Sequence, residues 1–267
     1  MKRLEDKVAE LSSSGRTGLS FFLTGGYPSM ESFKELVKYI DKNSLADFLE
    51  IGIPFSDPLA DGPVIQKTSL DAIREGATLP GIIRAVGEMK DEIDIPLVLM
   101  SYINPFYALG LERVFRDAAE AGFSALIIPD MPFGEDPAIE KAAMSHGLDT
   151  IYLAAPSCNE NRIKKISSRS RPFLYYVSSY GVTGARKKLP RKLSSGLQGA
   201  VKVSDVPVYC GFGISTPQQA ADIAEYADGI IIGSAFLKKI DGDKSSYFKE
   251  IRKFAISVRK EIDKGYT

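Results

Sequence analysis

The sequence predicts an α/β fold: one closed (β/α)8 barrel over residues 1–267, with an extra helix at the N-terminus and extended loops after strands 2 and 6. Two observations point there. Eight short apolar runs recur along the chain, several of them continuous, the pattern of strands buried on both faces. Helical segments with an apolar stripe lie between them. The length of 267 residues fits, since such a barrel typically takes ~250. An open doubly wound sheet is the rival architecture.

In chain order, MKRLEDKVAELSSSG reads as a charged amphipathic helix with no apolar core of the signal-peptide kind. The strands are LSFFLT (19–24), FLEIGI (48–53), PLVLMS (96–101), ALIIPD (125–130), TIYLAA (150–155), FLYYVS (173–178), VPVYCG (206–211) and GIIIGS (229–234). Helices are predicted over ESFKELVKYIDKN, LPGIIRAVGEMK, LERVFRDAAEAG, EDPAIEKAAMSHG and TPQQAADIAEYAD, and two of these end in glycine, a common helix stop. VIQKTSLDAIREG (64–76) is an insertion after the second strand, and SSYFKEIRKFAISVRKEID closes the chain.

Lys plus Arg equals Asp plus Glu, 34 each, so no global basic field draws nucleic acid or an anionic membrane. The longest apolar runs are too short to span a bilayer. Cys158 and Cys210 stand apart and suggest neither a disulfide framework nor a metal motif, which fits a reducing cytoplasm. His146, the one histidine, reads as a helix-end residue before Gly147. Acid–base chemistry therefore falls to carboxylates or tyrosines.

The segment ADFLEIGIPFSDPLADGP (46–63) is the most informative. Glu50 lies near the end of a buried strand, where an acid is expensive unless paired, protonated or used. Pro54, Pro58 and Pro63 break the following loop, which carries Asp57 and Asp61. Barrel chemistry sits at the C-terminal ends of strands, where Glu50, Asp61, Tyr102, Asn104, Asp130 and Tyr175 fall. Glycine turns follow the last two strands, CGFGIS (210–215) and GSAF (233–236), and glycine lets backbone N–H groups approach an anion. They make a candidate phosphate site, with Ser215 and Ser234 as extra donors. GVTGARKK (181–188) is a candidate lid. The plainer alternatives stay open: a salt bridge for Glu50, an Asx-turn for Asp61, a core aromatic for Tyr175, and ordinary turns or a surface loop for the glycines.

LEIGIPFSDPLADGPVIQ (49–66) resembles the hallmark block of the tryptophan synthase α subunit family. FLTGGYPS (22–29), MSYINPF (100–106), IIPDMP (127–132), GVTGAR, GFGIS and GSAF resemble further blocks of that family in order and spacing. The resemblance covers essentially the whole chain. It implies a TIM barrel that cleaves indole-3-glycerol phosphate to indole and glyceraldehyde 3-phosphate, without metal or cofactor in this subunit. By matching position, Glu50 is the general acid and then base, Asp61 the second acid at the indole N–H, and Tyr175 a tyrosine beside the reacting centre. Phe22, Met100, Tyr102, Ile127 and Leu153 form the indole slot. Gly184, Gly213, Gly233 and Ser234 hold the phosphate, and Thr183 is the lid threonine that reaches Asp61.

The resemblance further implies a pyridoxal-phosphate-dependent β subunit as partner in an αββα tetramer, with Pro54, Asp57, Pro58, Asn104, Pro105 and Phe106 on the docking surface. Ser179, Tyr180 and FGEDP (133–137) depart from the commoner family pattern. An α subunit that serves mainly to activate its partner, a free-standing indole-producing lyase and another phosphosugar barrel such as an isomerase are the rival functions.

Overall fold

In the computed structural model, which describes residues 3–178, 191–211, 213–240 and 244–266, strands and helices alternate around a parallel barrel. The strands are β1 (Gly18–Thr24), β2 (Phe48–Gly52), β3 (Leu97–Met100), β4 (Phe123–Ile127), β5 (Asp149–Ile151), β6 (Leu153–Ala154), β7 (Leu174–Val177), β8 (Val208–Gly211) and β9 (Gly229–Ile232). Their order in the sheet is β5-β4-β3-β2-β1-β9-β8-β7-β6, with every pairing parallel. The two ends of that list are halves of one predicted strand, so the barrel is closed but for a break at Tyr152.

The break is a change of partner. β5 pairs with β4 and β6 with β7. Between them the Tyr152 N–H donates to Ser170 Oγ at 2.9 Å, while its carbonyl accepts from the Tyr175 N–H at 3.1 Å. The continuous apolar run TIYLAA gave no sign of this switch. β4 also differs from expectation, starting at Phe123 instead of Ala125. Helix Leu111–Ala121 ends at Gly122, whose left-handed conformation (φ 107°) turns the chain straight into the strand.

The predicted helices form because their apolar residues recur at helical spacing. Helix Met30–Lys42 buries Phe33, Leu36, Val37 and Ile40, and Ser29 caps it by accepting from the Ser32 N–H at 3.2 Å. Helix Leu111–Ala121 buries Val114, Phe115, Ala118 and Ala121. The N-terminal helix Leu4–Ser13 and the insertion helix Pro63–Arg74 are both present, as is the closing helix Lys244–Ile262, which packs on helices Pro217–Ala224 and Met30–Lys42. Helices Ile103–Leu109, Glu160–Ser167, Arg191–Val203 and Ser234–Leu237 were not anticipated. The loop after β7 (179–190), including Ser179 and Tyr180, lies outside the described residues.

Inside the barrel, residues two apart on a strand share a face. Rings of Phe48, Phe173 and Tyr209 meet at centroid distances of 4.3 to 5.6 Å, which marks their face as the interior. They form a floor of aromatic rings. Glu50 and Tyr175, each two residues further along, therefore stand one level higher.

Candidate active site

Glu50 sits on β2, a strand buried at all five positions, and is 1% exposed. Its Oε1 has no hydrogen-bond partner among the described residues, and Glu50 forms no ion pair there. Burial alone lifts its carboxyl from 4.5 to about 8. No cation answers it among the described residues, and burial favours the neutral acid at pH 7. Tyr175 shares the interior with it. Burial first, then the Glu50 charge and Cys210, hold the phenol well above its ordinary 10. Its hydroxyl lies over the backbone of Gly211, where a Cβ would stand only 2.1 Å from it.

Asp61 comes from the loop between β2 and helix Pro63–Arg74, and Pro63 opens that helix at its first turn. The Tyr102 hydroxyl donates to Asp61 Oδ2 at 3.0 Å, 41 residues along the chain. The same hydroxyl accepts from the Ala60 N–H at 2.9 Å. Gln66 Nε2 donates to the Asp61 carbonyl at 2.9 Å. Burial raises the Asp61 carboxyl above its usual 3.8, and the Tyr102 hydrogen bond works against that rise.

Strand register carries the inward face from strand to strand. Gly52 pairs with Met100, Met100 with Ile127, and Leu153 with Tyr175. Phe22 pairs with Glu50, and its ring fills the place a side chain at Gly52 would need, 2.1 Å from such a Cβ. Phe22, Met100, Ile127 and Leu153 therefore line one interior, with buried Tyr102 just beyond the end of β3. Leu153 is the half-buried one, the other four being buried.

Of the glycine turns, Gly213 takes a positive φ of 77°, and Gly233 precedes helix Ser234–Leu237, whose Phe236 and Leu237 N–H groups bond to the Gly233 carbonyl. Ser234 is half-buried. The Ser215 hydroxyl is already engaged, donating to Gln219 Oε1 at 2.9 Å. Thr183 and Gly184 lie outside the described residues.

With this geometry in view, the chain was compared with known proteins. The family model described as tryptophan synthase alpha chain matches residues 8–265. The chain belongs to the tryptophan synthase alpha chain family. Similar relatives include the tryptophan synthase alpha chains of Dehalococcoides mccartyi, 43% identical over 98% of this chain and 100% of that protein, and of Geobacter sulfurreducens, 40% identical over 98% and 99%. Among solved structures, the tryptophan synthase subunit alpha of Legionella pneumophila superposes with a TM-score of 0.89 at 32% identity, covering 98% of this chain and 99% of that one. The family places the chain among the lyases of tryptophan biosynthesis, and the name alpha chain implies a complex with a beta subunit.

The residues assigned to a docking surface divide. Asp57 and Asn104 are exposed, and Pro54, Pro58 and Pro105 are half-buried. Phe106 corrects the expectation. It is fully buried and packs edge-on against Phe115 at 5.2 Å, so its ring anchors helix Ile103–Leu109 from beneath and offers no surface. Leu59, not singled out from sequence, is 91% exposed on the same loop as Asp57. Its signal was a leucine in SDPLADGP (56–63), a stretch otherwise of small, acidic and proline residues.

His146 does end helix Pro137–Ser145, and its Nε2 also lies 2.9 Å from Glu112 Oε2. Among the described residues, no three His, Cys, Asp or Glu side chains cluster to hold a metal ion, and no helix is long and apolar enough to cross a membrane.

Proposed function

We propose that this chain, acting as one domain over residues 1–267, cleaves indole-3-glycerol phosphate to indole and glyceraldehyde 3-phosphate by a retro-aldol reaction. The observation that carries the reading is Glu50: a carboxylic acid 1% exposed, with an unpartnered oxygen and a pKa lifted to about 8. Such a group keeps its proton at neutral pH and can deliver it to indole C3. Protonation at C3 makes the ring a cation and weakens the bond to the glycerol carbon. Glu50, now the anion, takes the proton of the adjacent glycerol hydroxyl as that bond breaks.

Asp61 stabilises the cation at the indole N–H, a preorganised charge that acts most strongly in the transition state. Tyr175 stays a neutral phenol beside the reacting centre. Phe22, Met100, Tyr102, Ile127 and Leu153 form the slot for the ring. Gly184, Gly213, Gly233 and Ser234 grip the phosphate, and Thr183 of the lid reaches Asp61 as it closes over the substrate. Holding that remote group supplies binding energy that positions the reacting carbon.

The indole passes to a pyridoxal-phosphate-dependent beta subunit in an αββα complex in the cytoplasm, docked through the loop carrying Pro54, Asp57 and Pro58 and the segment from Asn104 and Pro105. No cofactor is assigned to the alpha chain itself.

Indole release from indole-3-glycerol phosphate, with and without the beta subunit, tests the reading. Glu50→Gln should abolish release in a folded protein, and Asp61→Asn should lower it by on the order of 10²-fold or more. Near-normal turnover by Glu50→Gln would reject the role given to that residue.

A further inference from the structure

Among the described residues of its own loop and the helix that follows, Asp61 is held only at the backbone, where Gln66 Nε2 donates to its carbonyl at 2.9 Å, and nothing in the loop directs its carboxylate. Leu59 is almost fully exposed, Ala60 is exposed, and the Asp61 N–H makes only a long bond of 3.4 Å to the Pro58 carbonyl. An electrostatic catalyst works only if it does not have to reorganise during the reaction, so something outside the loop must fix this acid. We infer that Tyr102 is a positioning residue for Asp61, its hydroxyl setting the direction of the carboxylate and tying it to helix Ile103–Leu109. The inference rests on the cleavage reading above and reassigns Tyr102, which the sequence placed in the slot only as an apolar wall.

Tyr102 is itself held from several sides. It is 4% exposed, and its ring stacks on Phe55 with centroids 5.2 Å apart and planes at 29°. Just before it, the Ser101 N–H donates to the Ile127 carbonyl at 3.1 Å, and the Ser101 hydroxyl donates to the Tyr102 carbonyl at 3.0 Å. Just after it, the Ile103 N–H donates to Asp130 Oδ1 at 3.0 Å. The helix that follows is pinned by buried Phe106 and by Tyr107, whose hydroxyl donates to Asp136. A phenol on this frame has little freedom.

Its one proton goes to Asp61 Oδ2, while its oxygen accepts from Ala60, so one atom ties the acid's side chain and the backbone just before it, whereas the Gln66 bond holds only the Asp61 carbonyl. The bond engages Oδ2 and leaves Oδ1 for a second donor such as the indole N–H. The hydrogen bond also favours the ionised acid, against the burial that disfavours it. Among the described residues, the charged or titratable groups around this corner include Tyr102 itself, Asp130, whose charge acts on the tyrosine, and Asp57, exposed on the same loop as Asp61.

The test is a double-mutant cycle in the full-length chain on indole-3-glycerol phosphate, with Tyr102→Phe, Asp61→Ala and the pair. A hydrogen bond to a charged group predicts a ten- to hundredfold fall in kcat for Tyr102→Phe, with KM within about twofold. If Tyr102 acts through Asp61, the same change made on Asp61→Ala should alter kcat less than about twofold. An equal effect in both backgrounds would overturn the inference, because the tyrosine would then act on the slot directly. A second measurement needs no turnover: the Asp61 carboxyl, followed by carbon-13 NMR, should titrate at higher pH in Tyr102→Phe than in the parent. An unmoved titration would overturn the inference as well. If the parent chain releases no indole, the cleavage reading fails, and the Asp61 titration alone decides whether Tyr102 holds the acid.

Discussion

Burying Glu50 as an anion, with one oxygen lacking a donor, would cost several kcal/mol, whereas keeping its proton leaves only a neutral acid to satisfy. That comparison sets the direction of its pKa and the direction of the pH dependence. Glu50 must be protonated to act as acid, so kcat/KM for cleavage should fall as pH rises through about 8. Asp61 must be ionised, and burial raises its pKa, so the acid limb should lie above the usual 3.8. A profile that stays flat between pH 7 and 9 would contradict the assignment of Glu50 as the acid. At this scale the sequence was informative about which residue and silent about its state. An acid in the run FLEIGI is visible as an anomaly, but the choice between a salt bridge and a neutral acid depended on whether a cation faced it, and none does among the described residues.

Elements place these groups through close approach of a ring to a bare backbone. Tyr175 on β7 reaches across to Gly211 on β8, and Phe22 on β1 covers Gly52 on β2. Each glycine is the last residue of its strand, and the side chain it lacks leaves room for the neighbouring ring. Gly211→Ala should force the Tyr175 hydroxyl aside. Overpacking of this kind costs about 1–3 kcal/mol, which for a chain of this size lowers the melting temperature by roughly 2–10 °C. Thermal unfolding followed by circular dichroism would show it, and an unchanged melting temperature would mean that the tyrosine has space to move. The terminal glycine of VPVYCG reads in sequence as part of a turn for phosphate. Its second duty, yielding to a tyrosine 36 positions earlier, is written in the pairing of two strands and in no local pattern.

The whole molecule is held shut at the other end of the barrel. Asp47, 7% exposed just ahead of β2, accepts from the Leu19 N–H at 2.8 Å and from Arg259 Nη2 at 2.5 Å. Arg259, on the closing helix, also donates to the Thr17 carbonyl at 2.9 Å, and Arg16 lies 3.5 Å from the same acid. One carboxylate thus joins the starts of β1 and β2 to a helix more than 200 residues away. Removing one partner of a buried pair is far more damaging than the pair is helpful, because the other charge stays behind. Asp47→Ala should lose about 3 kcal/mol, seen as a lower urea midpoint with an unchanged slope. A midpoint equal to that of the parent would show that the closing helix is held by its apolar face alone.

What the chain determined by itself was the succession of buried strands and amphipathic helices, the acid lodged in one of those strands, and the proline-bounded loop after it. Each depends on residues within a turn or two of one another, where burial periodicity and backbone preference act. Only the tertiary structure decided that the ring closes by a change of partner at Tyr152, that Phe106 points inward, and that Asp61 is met by a hydroxyl 41 residues away. Those outcomes follow from strand register and from which loops the closed ring brings side by side, and contacts of that range leave no periodic trace in a linear sequence.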